Sequence, residues 1–167
     1  MSDAPFRMTR RQFGFGLAAA TIAVPVIRAA SGDAPWDDPA VVKRVFVGVP
    51  KPTWPRPDLD FNQEMGEISA KLAELEKKYP GQIRLTGGDW IQKVEDVEPW
   101  AKSLGDADAV LVLDLTSSTA PMLQAIGKVG IPKLLFTRPI TGWAFMDGAN
   151  WIQKGLRGDM VASSNFE

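Results

Sequence analysis

Carboxylate, hydroxyl and guanidinium side chains stand directly after apolar runs in this 167-residue sequence. Asp114 follows the apolar residues 109–113, and Arg138 follows a second such run. Groups of this kind hydrogen-bond the hydroxyls of a sugar or another polyol, and a nearby indole offers a flat surface to its C–H groups. The sequence therefore predicts a site for a small polar or sugar ligand. Its predicted binding residues are Trp54, Asp89, Trp90, Asp114, Thr116, Ser117, Arg138 and Trp143.

Residues 106–121 organise the elements around that site. The unbroken apolar run 109–113 is typical of a strand that is buried on both faces, because a strand with one exposed face would alternate. Residues 114–119 form a polar cluster able to cap a helix beginning near Ala120, and Pro121 suits the first helical turn. A central strand that opens into a hydroxyl-rich helix start is a usual ligand position in open α/β sheets.

The remaining chain repeats this alternation of strand and helix. Strands are predicted at residues 44–49, 83–85, 109–113, 133–137 and 159–162. The first helix is predicted to begin after a cap at Asp60, with Gln63 three residues later, and to end before Pro80. The last helix is predicted to present an apolar face of Phe145, Ala149, Ile152 and Leu156.

Five strands with short helical connections predict an open, doubly wound α/β fold in three layers, with a parallel sheet between helices. We expect the flavodoxin-like strand order 2-1-3-4-5, in which the ligand crevice lies between the carboxyl ends of strands one and three. The connections at and beside that crevice are residues 50–60, 86–90, 114–121 and 137–143.

Each predicted binding residue also has a purely structural explanation. Asp114 and the hydroxyls after it fit a helix cap alone, and Arg138 fits either a solvated residue or a salt bridge to Asp114. The tryptophans fit loop anchors. No phosphate-binding glycine motif follows the first strand, so a nucleotide site is poorly supported.

The amino-terminal residues resemble a twin-arginine export signal. Arg10 and Arg11 are followed by Phe13 and by the apolar, glycine- and alanine-rich residues 14–27, a run shorter than the roughly 20 residues that span a membrane. We therefore expect residues 1–31 to be a signal peptide recognised by the twin-arginine translocase. Residues 32–43 are then a linker and residues 44–167 an α/β domain, periplasmic or extracellular.

Composition narrows the functions of that domain. The chain has a formal net charge of −1. Residues 1–31 carry four arginines and one aspartate, a net +3, so the remainder is close to −4. A mildly acidic domain without a basic stripe argues against a nucleic-acid partner. The sequence has no Cys and no His, which excludes disulfides, thiolate chemistry and the commonest general base.

The last residues have the spacing of a helix start. Ser164 and Glu167 stand three apart, as in a capping box, directly after the last predicted strand. A five-stranded sheet of this type needs a further helix on one face. We therefore expect either that the sequence is a fragment of a longer protein or that a partner covers this face.

Residues 44–167 resemble the amino-terminal domain of the L-fucose and L-arabinose isomerase-like proteins. The resemblance is carried by residues 108–116, by residues 131–136, by residues 148–151 and by residues 162–166. It implies a flavodoxin-like first domain that helps to shape the substrate cleft and a homo-oligomer. It also implies later domains with a divalent metal, Mn or Mg, held by Glu, Asp and His, so no catalytic or metal-binding residue is assigned in this chain.

Three functional hypotheses follow from these observations. The first is the amino-terminal domain of an exported sugar-isomerase-like protein, which contributes substrate contacts while catalysis lies elsewhere. The second is a periplasmic module that binds a small sugar-like ligand without chemistry. The third is a redox domain related to flavodoxin, in which a hydroxyl-rich strand exit holds a flavin phosphate.

Overall fold

A computed structural model describes residues 38–52, 56–138, 141 and 143–164. Five parallel strands form one sheet in the order β2-β1-β3-β4-β5. The strands are β1 (Ala40–Val47), β2 (Ile83–Ile91), β3 (Ala109–Asp114), β4 (Lys133–Thr137) and β5 (Gly158–Ala162). This order confirms the predicted open α/β fold of the flavodoxin-like type.

Four α-helices connect the strands and make the outer layers. They are α1 (Phe61–Lys78), α2 (Val97–Lys102), α3 (Ala120–Gly127) and α4 (Ala144–Gln153), and a 3-10 turn (Val94–Asp96) precedes α2. The predicted start of α1 is confirmed, because the Asp60 carboxylate accepts a hydrogen bond from the Gln63 N–H at 3.0 Å. No helix in the described part of the chain is both long and apolar enough to cross a membrane.

The two faces of the sheet are covered unequally. Helices α2, α3 and α4 pack on the face of Val45, Val112 and Leu135, where the buried Trp151 donates from Nε1 to the Leu123 carbonyl at 3.1 Å. On the other face, α1 packs over Phe46 and Leu113. We call this second side the α1 face; in the described part of the chain it has one helix for five strands.

Three local predictions were wrong. Strand β1 begins at Ala40, within the segment assigned to the linker, because residues 40–43 already pair with β2. Strand β2 extends to Ile91, so residues 86–90 pair with β1 and are not an exit loop. Helix α4 buries Ala144, Asp147, Gly148 and Trp151, while Phe145 and Ile152 of the predicted apolar face are exposed.

The uncovered part of the α1 face contains an apolar groove of about 600 Å³. Leu72 and Leu75 of α1 line one side, and Leu111 and Leu134 form part of its floor. Leu134 is 38% exposed. The groove lies at the amino ends of the strands, away from the predicted ligand site. The further helix expected for this face remains a prediction, since residues 165–167 lie outside the described part.

The groove is expected to bind an apolar dye such as anilinonaphthalene sulfonate in the native protein. Substituting Leu134→Lys should lower the dye fluorescence, because it places a charge on the exposed apolar floor. The stability should change by less than about 0.5 kcal/mol, as for other surface positions. Ile152→Lys, an exposed apolar residue outside the groove, is the matched control, and an equal loss of fluorescence in both variants would contradict this assignment.

Candidate functional site

Buried polar side chains gather at the carboxyl ends of β3 and β4. Asp114 is the last residue of β3 and is 2% exposed, and Thr137 is the last residue of β4 and equally buried. Parallel strands end at the same edge of the sheet, so the two residues and the segments after them converge. The buried threonines of these segments are Thr116, Thr119 and Thr141. This polar edge lies between β3 and β4, beside the crevice that the strand order predicts between β1 and β3.

Asp114 lies at the centre of this group. Its Oδ1 accepts a hydrogen bond from the Thr119 hydroxyl at 2.8 Å, while its buried Oδ2 has no hydrogen-bond partner among the described residues. The Thr141 hydroxyl is a near neighbour, but it donates to the Arg138 carbonyl at 2.8 Å. Because a hydroxyl has only one proton to donate, Thr141 leaves Oδ2 unpaired. The site therefore contains a carboxylate oxygen for which the described residues supply no donor.

The environment of Asp114 brings its titration close to neutral pH. Burial raises the pKa of Asp114 to about 7, because a charged carboxylate is poorly solvated there. The hydrogen bond from the Thr119 hydroxyl, the proximity of the Thr141 hydroxyl and the charge of Arg138 lower the pKa of Asp114, while the neighbouring Asp147 adds to the rise. A carboxyl group with such a pKa can hold or release a proton under physiological conditions.

Glu64, in the first turn of α1, is a second buried carboxylate. It forms ion pairs with two arginines. Its Oε2 accepts a hydrogen bond from Arg56 at 2.8 Å, and its Oε1 forms an ion pair with Arg138. Burial by itself would raise the pKa of Glu64, but the two guanidinium groups outweigh it and hold the pKa below its ordinary value. Arg138 thus pairs with Glu64, and the alternative of a salt bridge to Asp114 is wrong.

The segment after β3 is tied to the end of β1. Thr116 is buried, and its hydroxyl accepts a hydrogen bond from the Val49 N–H at 3.0 Å. Ser117 is half-buried, and Ser118 is exposed with a left-handed φ of 66°. This contact joins the exits of the two strands between which the crevice was predicted.

Helix α3 begins where it was predicted, but the side chain at its capping position does not cap it. The helix does begin at Ala120 with Pro121 in its first turn. Thr119 occupies the capping position but makes no side-chain cap bond, since its hydroxyl donates to Asp114 instead. The hydroxyl therefore serves the buried carboxylate and not the helix end.

Two predicted binding residues lie elsewhere. Asp89 is within β2, is exposed, and stands 3.8 Å from the ammonium group of Lys43. Trp90 is also within β2, where its ring stacks on Phe61 at 4.4 Å and its Nε1 donates to the Gly48 carbonyl at 3.1 Å. Both predictions assumed a loop at this point, and the paired strand gives the two side chains structural roles.

Some predictions fall on residues that the structure does not describe. They are the binding residue Trp54, the signal residues Arg10, Arg11 and Phe13, and the end of the chain. Trp143 is described and stands two residues beyond Thr141, with 73% of its surface exposed. It is therefore at the rim of the polar edge and not inside it.

Glu64 and Thr137 were missed by the sequence analysis. A usable signal existed for Glu64, because it precedes Ile68 and Leu72 at intervals of four residues and so lies on the apolar face of α1. A carboxylate on such a face needs a buried partner. Thr137 and Thr141, whose hydroxyl oxygens are 2.8 Å apart, carry no comparable pattern.

The described residues do not fit a divalent metal. They contain no group of three or more carboxylate, His or Cys side chains arranged to hold an ion. The buried carboxylates near the polar edge are engaged differently, Glu64 by arginines, Asp114 by a hydroxyl and Asp147 by the Gln124 amide. No chemical step in this domain is therefore derived through a metal.

Fold and site together define an open α/β protein with buried polar side chains at the carboxyl ends of its central strands. Comparisons with protein-family models, with curated proteins and with solved structures gave no match. The functional conclusion consequently depends on the geometry of the edge itself.

Proposed function

We propose that the polar edge binds a small polyhydroxylated ligand of the sugar class. We further propose that the domain supplies this surface to the substrate cleft of an exported sugar-isomerase-like protein. The unpaired Oδ2 of Asp114 is the observation that carries the first proposal. A buried acceptor without a donor costs about 1–3 kcal/mol, and a hydroxyl of the ligand would remove that cost.

The surrounding groups suit the same class of ligand. Hydroxyls both donate and accept, and the edge offers carboxylate acceptors and guanidinium donors close together. Since Asp114 is nearly inaccessible, the ligand reaches Oδ2 only when the segments after β3 and β4 separate locally. Such a local opening is usual for strand-exit segments that bind ligands.

Ligand binding is expected to depend on Asp114. Calorimetric titration of the protein at pH 8 with pentoses and hexoses should show binding that weakens at least tenfold in Asp114→Asn, since a lost charged hydrogen bond costs about 1.5–3 kcal/mol. Asp89→Asn, which changes an exposed carboxylate outside the edge, is the control and should bind normally. Equal affinities in the natural protein and in Asp114→Asn would refute the role of the polar edge.

The second candidate is a periplasmic module that binds the same ligand without catalysis. It is favoured by the direct pairing of Glu64 with Arg56 and Arg138, which satisfies charges within the domain. Repeating the titration on the natural full-length protein with added Mn²⁺ or Mg²⁺ separates the two. Ligand binding that depends on the metal, together with ketose formation, supports the isomerase-like protein, whereas indifference to metal supports the binding module.

A further inference from the structure

Two aromatic rings stand in solvent beside the polar edge. Trp143 is 73% exposed and Phe145 is 41% exposed, and their ring centroids are 5.9 Å apart with an angle of 38° between the ring planes. We call this pair the aromatic rim. Among the other tryptophans that the structure describes, Trp100 and Trp151 are buried and Trp90 is half-buried. Trp143 alone of these four lies mostly in water.

The backbone fixes the aromatic rim next to Asp114. The Thr141 N–H donates to the Arg138 carbonyl at 2.9 Å, and the Thr141 hydroxyl lies 2.8 Å from that of Thr137 at the end of β4. Helix α4 begins at Ala144, and the Met146 N–H donates to the Trp143 carbonyl at 2.9 Å. Trp143 therefore stands two residues beyond Thr141, which adjoins Asp114, and directly before the first turn of α4. The aromatic rim thus follows the polar edge closely along the chain.

The exposure of these rings has no explanation in the packing of α4. The helix buries its other side through Ala144, Gly148 and Trp151, so Trp143 and Phe145 do not contribute to the core. Large exposed aromatic side chains next to a polar group are typical of binding surfaces. Two rings whose planes meet at 38° form a shallow apolar surface. Such a surface suits the C–H groups of a closed sugar ring better than those of a flexible open chain.

We infer that Trp143 and Phe145 form a stacking platform that selects the closed, pyranose form of the ligand. This inference rests on the proposed function, because it assigns the ring-selective contact of the same polar edge. It adds Phe145 as a binding residue. Open-chain polyols carry the same hydroxyls but lack a persistent flat C–H face, so they gain hydrogen bonds without the stacking contribution.

The inference is tested with two ligand sets that cannot interconvert. Methyl pyranosides of common pentoses and hexoses cannot open, and the corresponding alditols cannot close. We expect the natural protein to bind at least one methyl pyranoside about tenfold more tightly than its alditol, because only the pyranoside offers the rings a persistent C–H face. Trp143→Ala and Phe145→Ala should each remove most of this preference, and Trp143→Phe should retain part of it.

Ile152→Ala is the matched control, because Ile152 is also exposed on α4 but lies at its far end. It should leave the preference unchanged. Equal binding of pyranosides and alditols by the natural protein, or an unchanged preference in Trp143→Ala, overturns the stacking platform but leaves ligand binding at the polar edge intact. Failure of the natural protein to bind either set overturns the proposed function, and the platform with it.

Discussion

Above pH 7, the Asp114→Asn variant is expected to be more stable than the natural protein by about 2 kcal/mol, and to lose most of the pH dependence of unfolding between pH 4 and 7. Asparagine keeps the size of the side chain and the acceptor for the Thr119 hydroxyl. Its side-chain NH2 group takes the place of the unpaired Oδ2. The lone pairs of the nearby Thr141 hydroxyl can accept a hydrogen bond from this NH2 group. The buried negative charge is removed.

The sign of the expected change in stability follows from the pKa of Asp114, which burial raises from 3.8 to about 7. Between these values the folded protein holds a proton that the unfolded chain releases, so the free energy of unfolding falls as pH rises. At about 1.4 kcal/mol for each pH unit, the full effect is on the order of 4 kcal/mol. An unsatisfied amide proton offsets part of this gain in the variant, which leaves the smaller net value.

Urea denaturation followed by circular dichroism at several pH values from 4 to 8 measures this effect. Asp89→Asn is the control, because its exposed carboxylate should leave the pH profile of the natural protein unchanged. Asp147, whose pKa is also raised by burial, adds a contribution of the same sign, so Asp147→Asn should flatten the profile in part. Parallel profiles for Asp114→Asn and the natural protein would show that Asp114 titrates normally.

A destabilising charge at the end of the central strand supports a ligand-binding role. Asparagine at position 114 would stabilise the fold, so stability alone does not account for aspartate there. Sites that bind or react commonly retain such costs. Asp114→Asn is therefore expected to make the protein more stable and to weaken its ligand binding. The stability profile tests the first effect, and the calorimetric titration tests the second.

The fold could be predicted from sequence because its pattern is local and repeated. The apolar run before Asp114 and the cap at Asp60 each indicate an element within a few residues, and the alternation of elements then limits the topology. Strand β2 was the main error. Its Gly87 and Gly88 have positive φ values of 72° and 132°. Arg44 pairs with Gly87 and Val45 with Asp89, so Gly88 is a bulge in β2 and the paired strand continues to Ile91. Paired glycines in a sequence usually indicate a turn, so the bulge could not be read.

The polar residues at the strand ends could be identified from the sequence, but their pairings could not. Asp114, Thr116 and Arg138 were identified because they follow strands, which is a property of the sequence. The partner of Arg138 comes from α1, more than seventy residues earlier, and only the packed structure brings the two together. The buried side of α4 was predicted wrongly for a related reason. Trp151 and Gly148 define that side through contacts with other elements.

Glu64→Gln is expected to destabilise the protein by about 3 kcal/mol at pH 7, because it leaves Arg56 and Arg138 without a carboxylate in a largely buried position. Urea denaturation measures the loss. Glu67→Gln, an exposed position on the same helix, is the matched control and should change stability by less than about 0.5 kcal/mol. A loss no larger in Glu64→Gln than in this control would contradict the buried ion pairs.

The contribution of Glu64 to stability should change with pH in the opposite direction to that of Asp114. The pKa of Glu64 is lowered in the folded protein, so its stabilisation is present above the ordinary value of 4.5 and is lost as pH falls through the folded value. The difference between Glu64→Gln and the natural protein should therefore shrink in strong acid. Constant destabilisation at all pH values would instead indicate a packing defect.

Combining Glu64→Gln with Arg138→Met separates structure from ligand binding. Removing Arg138 together with its partner deletes the more buried of the two uncompensated charges, so the double variant should recover part of the stability that Glu64→Gln alone loses. A ligand that uses only Asp114 and the aromatic rim would bind the double variant normally. If the guanidinium of Arg138 also donates to the ligand, binding stays at least tenfold weaker although stability returns, and Arg138 is then a ligand-binding residue as well as the partner of Glu64.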